Sequence, residues 1–242
     1  VPLAEVSKVN AGRSHLVRLA EEGWLEEYSR QVERDPLAAY HFEQQPPATL
    51  RPEQLAAADA IWAGQGETHL LHGITGSGKT EVYLELVRRT LEAGKTAMLL
   101  LPEISLTPQA IRRYGERFGG QIAAFHSQLG VGELFDQWHR VQKGQLRLVL
   151  GSRSAVFAPL PDLGLIVIDE EHEWTFKQES PQPRYHARDV AGERARLTGA
   201  TLVLGSATPD IVTYHRAETG QVRKVELNSR VVEGPDGELH EG

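Results

Sequence analysis

The sequence contains no cysteine, and this absence excludes two kinds of structure at once. Without thiols, the 242 residues can form neither a disulfide bond nor a zinc site with thiolate ligands. The ten histidines also lack the spacing that is typical of zinc ligands. We therefore expect no structural zinc within this sequence.

Long apolar runs are absent as well. No run approaches the 18 or more residues of a membrane-spanning helix, and residues 1–5 lack the basic and apolar regions of a signal peptide. These absences favour a cytoplasmic protein with no membrane partner. Methionine occurs only at position 98 and not at position 1, so we interpret the sequence as a piece of a longer protein.

The sequence also has no excess of positive charge. Its formal net charge is −7, with 40% hydrophobic and 24% charged residues, as in an ordinary globular protein. This charge argues against indiscriminate coating of nucleic acid but is compatible with a local basic groove.

We divide the chain into residues 1–46, 47–230 and 231–242. In the first part, residues 14–22 predict a short amphipathic helix that Gly23 ends, and residues 24–32 predict a strand. This order suits the end of a winged-helix domain, and a helical linker explains it equally well. The Pro46-Pro47 pair favours a boundary, and we expect the Gly-rich, acidic tail to fray.

The middle part alternates strands with helices. A helix is predicted over residues 51–62, with Pro52 suited to its first turn. Near-continuous apolar runs indicate strands that are covered on both faces, and hence a parallel, doubly wound α/β sheet of the kind found in P-loop ATPases. The predicted strands are residues 70–72, 96–101, 122–126, 146–150, 163–168 and 201–204.

The strongest motif is GITGSGKT at residues 73–80, between a predicted strand and a predicted helix. Its glycines allow backbone N–H groups to surround a polyphosphate, Lys79 can reach the β and γ phosphates, and the Thr80 hydroxyl can bind Mg²⁺. A simple Gly-rich turn is disfavoured because the Lys-Thr pair and both flanking elements are present. The predicted phosphate-binding residues are Gly73, Thr75, Gly76, Ser77, Gly78, Lys79 and Thr80.

Two further motifs follow predicted strands. In LIVIDEEH, residues 165–172, we expect Asp169 to hold Mg²⁺ and Glu170 to polarise the attacking water, although acidic residues at a strand end can also be solvated loop starts. LGSATP at residues 204–209 is a turn by itself. As the third element in order, it becomes informative, because small hydroxyl residues here can bond both the acidic motif and neighbouring backbone. We therefore expect His172, Ser206 and Thr208 to couple the motifs.

These motifs together resemble those of superfamily 2 helicases. LPEISLTPQ (101–109), GSRSAVFAP (151–159) and YHARD (185–189) further resemble the PriA family of replication-restart DNA helicases. The resemblance covers about residues 5–230 and implies a RecA-like first motor lobe after a partial winged helix. It also implies 3′-to-5′ DNA unwinding driven by ATP with Mg²⁺, and forked or single-stranded DNA, primosomal proteins, single-strand DNA-binding protein and a helicase loader as partners.

The resemblance also assigns roles to individual residues. Gln54 occupies the adenine-reading position, where the alternative is a solvent-facing helix residue. Arg153 is the best phosphate contact, where the alternative is a surface salt bridge. The DNA contacts implied near the two family motifs are Pro102, Glu103, Thr107, Gln109, Ser152 and Arg153.

Residues 173–188 correspond to an aromatic-rich loop that in this family is thought to couple DNA binding to ATP hydrolysis. Its rings offer stacking faces and its cations offer charge, whereas the alternative is that some rings belong to the core. In an extended loop, Trp174 and Phe176 would share a face. The implied DNA contacts are Trp174, Phe176, Lys177, Arg184, Tyr185 and Arg188.

The sequence departs from the PriA pattern in three respects. The cysteine-rich zinc module and the second lobe with its transition-state arginines are missing, and residues 231–242 match poorly. We therefore expect these residues alone to bind nucleotide weakly and to turn it over poorly. A non-unwinding scaffold that loads the replicative helicase is the alternative function, which intact Lys79 and Glu170 disfavour. LPEISLTPQ and YHARD also disfavour a different superfamily 2 translocase.

Overall fold

The computed structural model describes residues 13–26, 34–38, 40–46, 48–233 and 239–241. The chain forms two units, residues 1–33 and residues 34–242. In the first unit, helix α1 (Arg13–Glu21) confirms the predicted amphipathic helix, and Gly23 follows it with a φ of 77°. Residues 24–26 do not form the predicted strand, and residues 27–33 lie outside the described residues. Both interpretations of this segment, winged-helix tail or linker, stay predictions.

The boundary between the units differs from the predicted one after residue 46. Leu37 is buried in the core of the second unit, and the Phe42 ring packs against Gly115. The Arg34 backbone N–H donates to Asp136 Oδ2 at 3.0 Å. Residues 34–46 therefore belong with the main domain, because Leu37 is buried in its core and Tyr40 and Phe42 pack against that core, partly buried.

Eleven strands are present in the described part of the chain. In chain order they are β1 (Thr68–Gly73), β2 (Thr96–Leu100), β3 (Ile122–Phe125), β4 (Leu148–Gly151), β5 (Leu163–Asp169), β6 (Lys177–Gln178), β7 (Tyr185–His186), β8 (Thr201–Ser206), β9 (Arg223–Leu227), β10 (Val231–Glu233) and β11 (Leu239–Glu241). Seven of them form one parallel sheet in the order β3-β4-β2-β5-β8-β1-β9.

Helices cover both faces of this sheet. After α1 they are α2 (Pro52–Ala63), α3 (Lys79–Glu92), α4 (Pro108–Phe118), α5 (Val131–Gln142), α6 (Ala187–Thr198) and α7 (Ile211–Glu218). Along β2, Ala97 and Leu99 join the core cluster under α2, α3 and α4, whereas Met98 and Leu100 join the cluster under α5, α6 and α7. This alternation follows from the two-residue period of a strand. The predicted parallel α/β fold is confirmed.

The sequence did not indicate three of the strand pairings. Strand β9 forms an edge of the sheet, and its sequence RKVEL is largely charged, with only Leu227 buried. Strands β6 and β7 form a short antiparallel ladder within the aromatic-rich loop. Strands β10 and β11 form another in the tail, where we expected fraying, and residues 234–238 between them lie outside the described residues.

The strand order brings the motifs together. Strands β5, β8 and β1 are neighbours, and Asp169 of β5 aligns with Gly205 of β8, while Ser206 aligns with His72 of β1. Because all three strands are parallel, their carboxyl ends meet at one edge of the sheet. The loops that leave this edge carry the three predicted nucleotide motifs.

Candidate active site

The phosphate loop connects β1 directly to α3. Gly76 and Gly78 have φ values of 82° and 85°, a left-handed region that residues with a Cβ rarely adopt. The Ser77 N–H donates to the Ile74 carbonyl at 3.0 Å, and α3 begins at Lys79. The loop therefore presents its backbone and the amino end of α3 as an anion-binding surface.

Lys79 is buried beneath this loop. Its Nζ donates to the Gly73 carbonyl oxygen at 2.8 Å. A buried ammonium group requires hydrogen-bond acceptors, and a single neutral carbonyl satisfies it less well than phosphate oxygens do. The lysine is thus held at the base of the loop, ready to exchange this contact for a negatively charged ligand.

Gln54 is buried, so the solvent-facing alternative is wrong. Its Oε1 accepts from the Arg51 N–H at 3.0 Å, and its Nε2 donates to the Ser77 carbonyl at 3.3 Å. Arg51 Nη2 donates to the same carbonyl at 2.8 Å. These contacts tie the start of α2 to the phosphate loop, whereas adenine recognition by Gln54 stays a prediction.

Asp169 lies at the end of β5, next to a tyrosine that the sequence did not single out. The Tyr83 hydroxyl donates to Asp169 Oδ1 at 2.9 Å. Burial raises the pKa of Asp169 and the charge of Glu170 adds to the effect, while Tyr83 and Lys79 oppose it. Tyr83 was missed because a tyrosine on the apolar face of a predicted helix is usually a core residue.

Glu170 adopts a strained backbone conformation with a φ of 48°. For a residue with a Cβ, such a conformation costs roughly 1–3 kcal/mol and persists only where neighbouring contacts enforce it. Its carbonyl accepts from the Glu173 N–H at 2.9 Å, and the next residue, Glu171, donates its N–H to the Gly205 carbonyl at 3.1 Å. The strain therefore occurs at the residue predicted to act on water.

His172 joins the acidic motif to the SATP segment. Its Nδ1 lies 2.8 Å from Ser206 Oγ and 3.7 Å from Glu170 Oε2, and its Nε2 lies 3.4 Å from Thr208 Oγ1. The Thr208 N–H also donates to Ser206 Oγ at 3.0 Å. The three residues predicted to couple the motifs are thus brought into contact with one another.

Glu171 is fully buried, and sequence reasoning missed its importance. Its carboxylate accepts from Arg188 Nη1 at 2.6 Å, from Thr213 Oγ1 at 3.1 Å and from the Asp210 N–H at 2.7 Å. A buried carboxylate needs such partners because desolvation strongly disfavours an isolated charge. Arg188 was predicted to contact DNA, and the structure shows that its Nη1 donates to Glu171, so the DNA contact stays a prediction for the remaining guanidinium N–H groups.

The phosphate loop and the acidic motif face a common cleft of about 420 Å³. It is lined by Ala48, Thr49, Arg51, Gln54, Thr75, Gly76, Gly78, Lys79, Thr80, Glu81, Arg113, Asp169 and Glu170. Thr80 and Asp169, the predicted Mg²⁺ ligands, both line this cleft and carry oxygen atoms of the kind that Mg²⁺ prefers when it is bound together with substrate phosphates. Groups of three or more His, Asp or Glu residues that could hold a metal unaided do not occur among the described residues.

The DNA contacts predicted after β2 and β4 differ in accessibility. Pro102 and Ser152 are buried, so only the backbone of these two residues could take part in the predicted DNA contact, which stays a prediction. Glu103 is exposed and accepts a hydrogen bond from the Ser127 hydroxyl.

Two further predicted DNA contacts lie at the start of α4. Thr107 caps this helix, since its side chain accepts from the Ala110 N–H at 3.2 Å. Gln109 is exposed in the first turn of the same helix.

Arg153 contacts the aromatic-rich loop. Its Nη1 donates to the carbonyls of Thr175 and Lys177 at 3.1 and 3.0 Å. Arg153 is therefore not the surface salt bridge of the alternative interpretation, and its guanidinium group already has acceptors in place of a phosphate. The contact fixes the beginning of the loop to the segment that follows β4.

Within that loop the aromatic residues have different environments. Trp174 is 75% exposed, whereas Phe176 is 1% exposed and lies in the core. A short 3₁₀ turn over Trp174–Phe176 separates the two rings, which corrects the expectation that they share a face. Tyr185 is partly buried, with its ring centroid 5.0 Å from that of Phe157. The cationic side chains of Lys177 and Arg184 are exposed.

Two solved structures show a similar fold. RecG bound to a three-way DNA junction matches with a TM-score of 0.55 at 23% identity, over 76% of this chain and 24% of that chain. The UvsW helicase from bacteriophage T4 matches with a TM-score of 0.52 at 12% identity, over 90% and 77% of the two chains. Across the described residues, no helix is long and apolar enough to cross a membrane.

Curated relatives are more similar in sequence. The replication restart protein PriA of Bacillus subtilis is 44% identical over 236 residues, which are 96% of this chain and 29% of that protein. The PriA protein of Synechocystis is 47% identical over 71% of this chain and 21% of its own length. The predicted resemblance to PriA is confirmed, and the chain spans less than a third of these relatives. The DEAD/DEAH box helicase family matches residues 51–216, and the chain belongs to this family.

Proposed function

We propose that this chain is the ATP-binding motor lobe of a replication-restart DNA helicase. One observation carries the proposal: the phosphate loop, the Asp169–Glu170 pair and the Ser206 segment converge at the carboxyl ends of three adjacent strands. The 44% identity to Bacillus subtilis PriA over nearly the whole chain supports the replication-restart assignment. The substrate class is therefore a nucleoside triphosphate, with DNA as the second ligand.

The residues of the cleft have separate tasks. Lys79 exchanges the Gly73 carbonyl for phosphate oxygens and neutralises part of their charge. Thr80 and Asp169 would hold Mg²⁺, which when bound would stabilise negative charge on the phosphates. Tyr83 orients the Asp169 carboxylate by donating to Oδ1. Gln54 presents an amide that can pair with both a donor and an acceptor of adenine.

Glu170 takes the role of general base. Its carboxylate accepts the proton of the attacking water, a contribution of about 10²–10⁴ in rate for such groups. His172 lies 3.7 Å from this carboxylate and 2.8 Å from Ser206 Oγ. A displacement of the Ser206–Thr208 segment therefore changes the orientation of Glu170.

The exposed part of the aromatic-rich loop is the proposed DNA surface. Trp174 offers a stacking face, and Lys177 and Arg184 offer positive charge. Thr107 and Gln109, which are exposed at the start of α4, offer further polar groups that suit phosphate contacts. We expect forked or single-stranded DNA as the ligand, and primosomal proteins, single-strand DNA-binding protein and a helicase loader as protein partners.

Titration with a fluorescent ATP analogue tests the proposal. We expect Lys79→Ala to abolish binding, because the buried cation is lost, and Glu170→Gln to retain it. Hydrolysis is measured in the longer protein that supplies the second lobe, where Glu170→Gln should lower the rate by about 10²–10⁴. Lys143→Ala is the matched control, since Lys143 is an exposed lysine at the end of α5. Equal affinities for the unmodified chain and Lys79→Ala would contradict the proposal. Hydrolysis by Glu170→Gln at the unmodified rate would refute the assigned base.

A further inference from the structure

An arginine outside all the sequence motifs lies against the phosphate loop. A Cβ placed on Gly76 would lie 3.5 Å from Arg230 Nε and 3.6 Å from Arg230 Cγ, which are ordinary van der Waals distances. Arg230 follows strand β9, which pairs with β1, the strand that leads into the loop. The side chain therefore packs along the loop that carries Lys79, with its guanidinium group beside the loop backbone.

A specific contact fixes the segment that carries Arg230. Glu53 Oε1 accepts from the Asn228 N–H at 2.6 Å, and Glu53 Oε2 accepts from the Ser229 N–H at 3.2 Å. Burial opposes ionisation of Glu53, but the two backbone hydrogen bonds hold the pKa of its carboxyl below the usual value. Glu53 precedes Gln54, which itself bonds the loop at Ser77. One helix end thus anchors both the loop and the segment that places Arg230 against it.

Arg230 has no carboxylate partner among the described residues, whereas other arginines around the cleft are paired. Arg113 Nη2 lies 2.7 Å from Glu81 Oε1, and Arg117 Nη2 lies 3.4 Å from Glu81 Oε2. A guanidinium group is always charged, and its planar fork matches the geometry of phosphate oxygens. A guanidinium group that lies beside a phosphate loop, with no carboxylate partner in the described part of the chain, is therefore suited to an anion bound in that loop.

We propose that Arg230 contacts the phosphate chain of the bound nucleotide and that Glu53 positions it. This inference rests on the proposed function, because it assigns a further ligand contact to the same cleft. Arg230 lies outside the three nucleotide motifs. Its guanidinium group would bind the polyphosphate in addition to the Lys79 ammonium group. Binding of the base and of the ribose of the nucleotide does not involve Arg230.

Calorimetric titration with ATP tests this contact. We expect Arg230→Ala to weaken ATP binding by about tenfold, in line with the loss of a charged hydrogen bond, and Arg230→Lys to restore part of the loss. The salt dependence of ATP affinity should also become shallower in Arg230→Ala, since one fewer ionic contact is screened. Arg216→Ala is the matched control, because Arg216 is an exposed arginine near the end of α7.

The outcomes separate this inference from the proposed function. If the unmodified chain does not bind ATP, the proposed function fails. If it binds ATP and Arg230→Ala binds equally well, only the Arg230 contact is refuted. If affinity falls while its salt dependence is unchanged, Arg230 acts on the base or ribose and the phosphate contact is refuted.

A double-mutant cycle tests the positioning role of Glu53. We expect Glu53→Ala to weaken ATP binding in the unmodified chain but to have no further effect in Arg230→Ala. In that background the segment that Glu53 fixes no longer carries a side chain that contacts ATP. An equal loss in both backgrounds would show that Glu53 acts through Gln54 instead, which would refute the positioning role. Thermal unfolding of each variant provides a check that the fold is intact.

Discussion

Asp169 and Glu170 are neighbours in sequence but have different environments. Both side chains are partly buried, but desolvation raises the pKa of Asp169, which accepts from the Tyr83 hydroxyl, whereas Glu170 has a strained backbone conformation. A carboxylate buried next to a second carboxylate disfavours its own ionised form, and a positive φ at Glu170 adds strain. Both features destabilise the free protein, and both occur where a cation and a water molecule are expected. The cleft is thus arranged for its ligands at the expense of stability.

This arrangement predicts that Asp169→Asn stabilises the free chain. Because the pKa of Asp169 is raised in the folded state, its contribution to stability is favourable at acid pH and is lost as pH rises through that pKa. Asparagine carries no charge and can still accept from Tyr83. We expect a higher melting temperature than that of the unmodified chain at pH 7, and a difference that vanishes toward pH of about 4.

Differential scanning calorimetry across this pH range measures the effect. Glu179→Gln is the control, because it neutralises an exposed carboxylate and should leave the pH profile unchanged. A melting temperature at pH 7 that is lower for Asp169→Asn than for the unmodified chain would show that the charge of Asp169 stabilises the fold.

We expect substitutions of Trp174 and Phe176 to affect different properties, although only one residue separates them. Phe176→Ala removes a buried ring and should lower the free energy of unfolding by about 3–5 kcal/mol. Trp174→Ala removes an exposed ring and should leave stability unchanged while weakening single-stranded DNA binding by about 1–3 kcal/mol. Urea unfolding and fluorescence anisotropy with labelled DNA measure the two effects. Loss of stability in Trp174→Ala without loss of DNA affinity would contradict the stacking role.

At the scale of elements, a buried ion pair joins α6 and α7 to the acidic motif. Arg188 near the start of α6 and Thr213 on α7 both donate to Glu171, and the Asp210 N–H does so from just before α7. The ends of two helices are therefore fixed to the loop that contains Glu170. We infer that these contacts enforce the strained conformation of Glu170, because such strain requires support from the surrounding structure.

Removal of one partner of this pair should be strongly destabilising. We expect Arg188→Ala to lower the free energy of unfolding by about 3–5 kcal/mol, since it leaves the Glu171 carboxylate buried without its cation. Arg196→Ala on the same helix is the matched control, because Arg196 and its partner Glu193 are exposed and should contribute little. Equal urea midpoints for the two variants would show that the Glu171 charge is not buried in solution.

The elements that the sequence predicted well are those with an unambiguous pattern. Strands β2, β4 and β5 are apolar runs, and burial on both faces explains such runs without further information. Strand β9 was missed because its charged sequence is typical of a loop, and only its pairing with β1 makes it a strand. For β-structure at an edge, neighbours decide more than composition does.

The same distinction holds for the candidate site. Lys79 and Asp169 could be found because a motif specifies residue type and spacing, and the strand order then brings them together. The sequence did not reveal the roles of Glu171, Tyr83 and Arg230. Their spacing in the sequence does not indicate whether a side chain is buried or which loop it contacts. Arg188 shows the same limit, since its charge suggested a DNA contact and only the fold reveals its buried partner Glu171.

At the scale of the whole molecule, the boundary between the two units divides the first 46 residues into two segments that belong to different units. Residues 1–33 form a unit of their own, whereas Leu37 and Phe42 contribute to the core of the unit that carries the cleft. Asp136 adds polar contacts to the Arg34 backbone and side chain at 3.0 and 3.4 Å. A cut at residue 46, which the proline pair suggested, would therefore expose part of the main core.

Two truncated chains test this boundary. A chain of residues 34–242 should keep the ATP affinity and the urea midpoint of the main unfolding transition, because it retains every buried residue of its own unit. A chain of residues 48–242 should lose at least about 2 kcal/mol of unfolding free energy, since Leu37 and Phe42 no longer cover their neighbours. Leu37→Ala in the longer chain should reproduce part of that loss. If the chain of residues 48–242 is as stable as the chain of residues 34–242, residues 34–46 are only a linker, and the predicted boundary after residue 46 is correct.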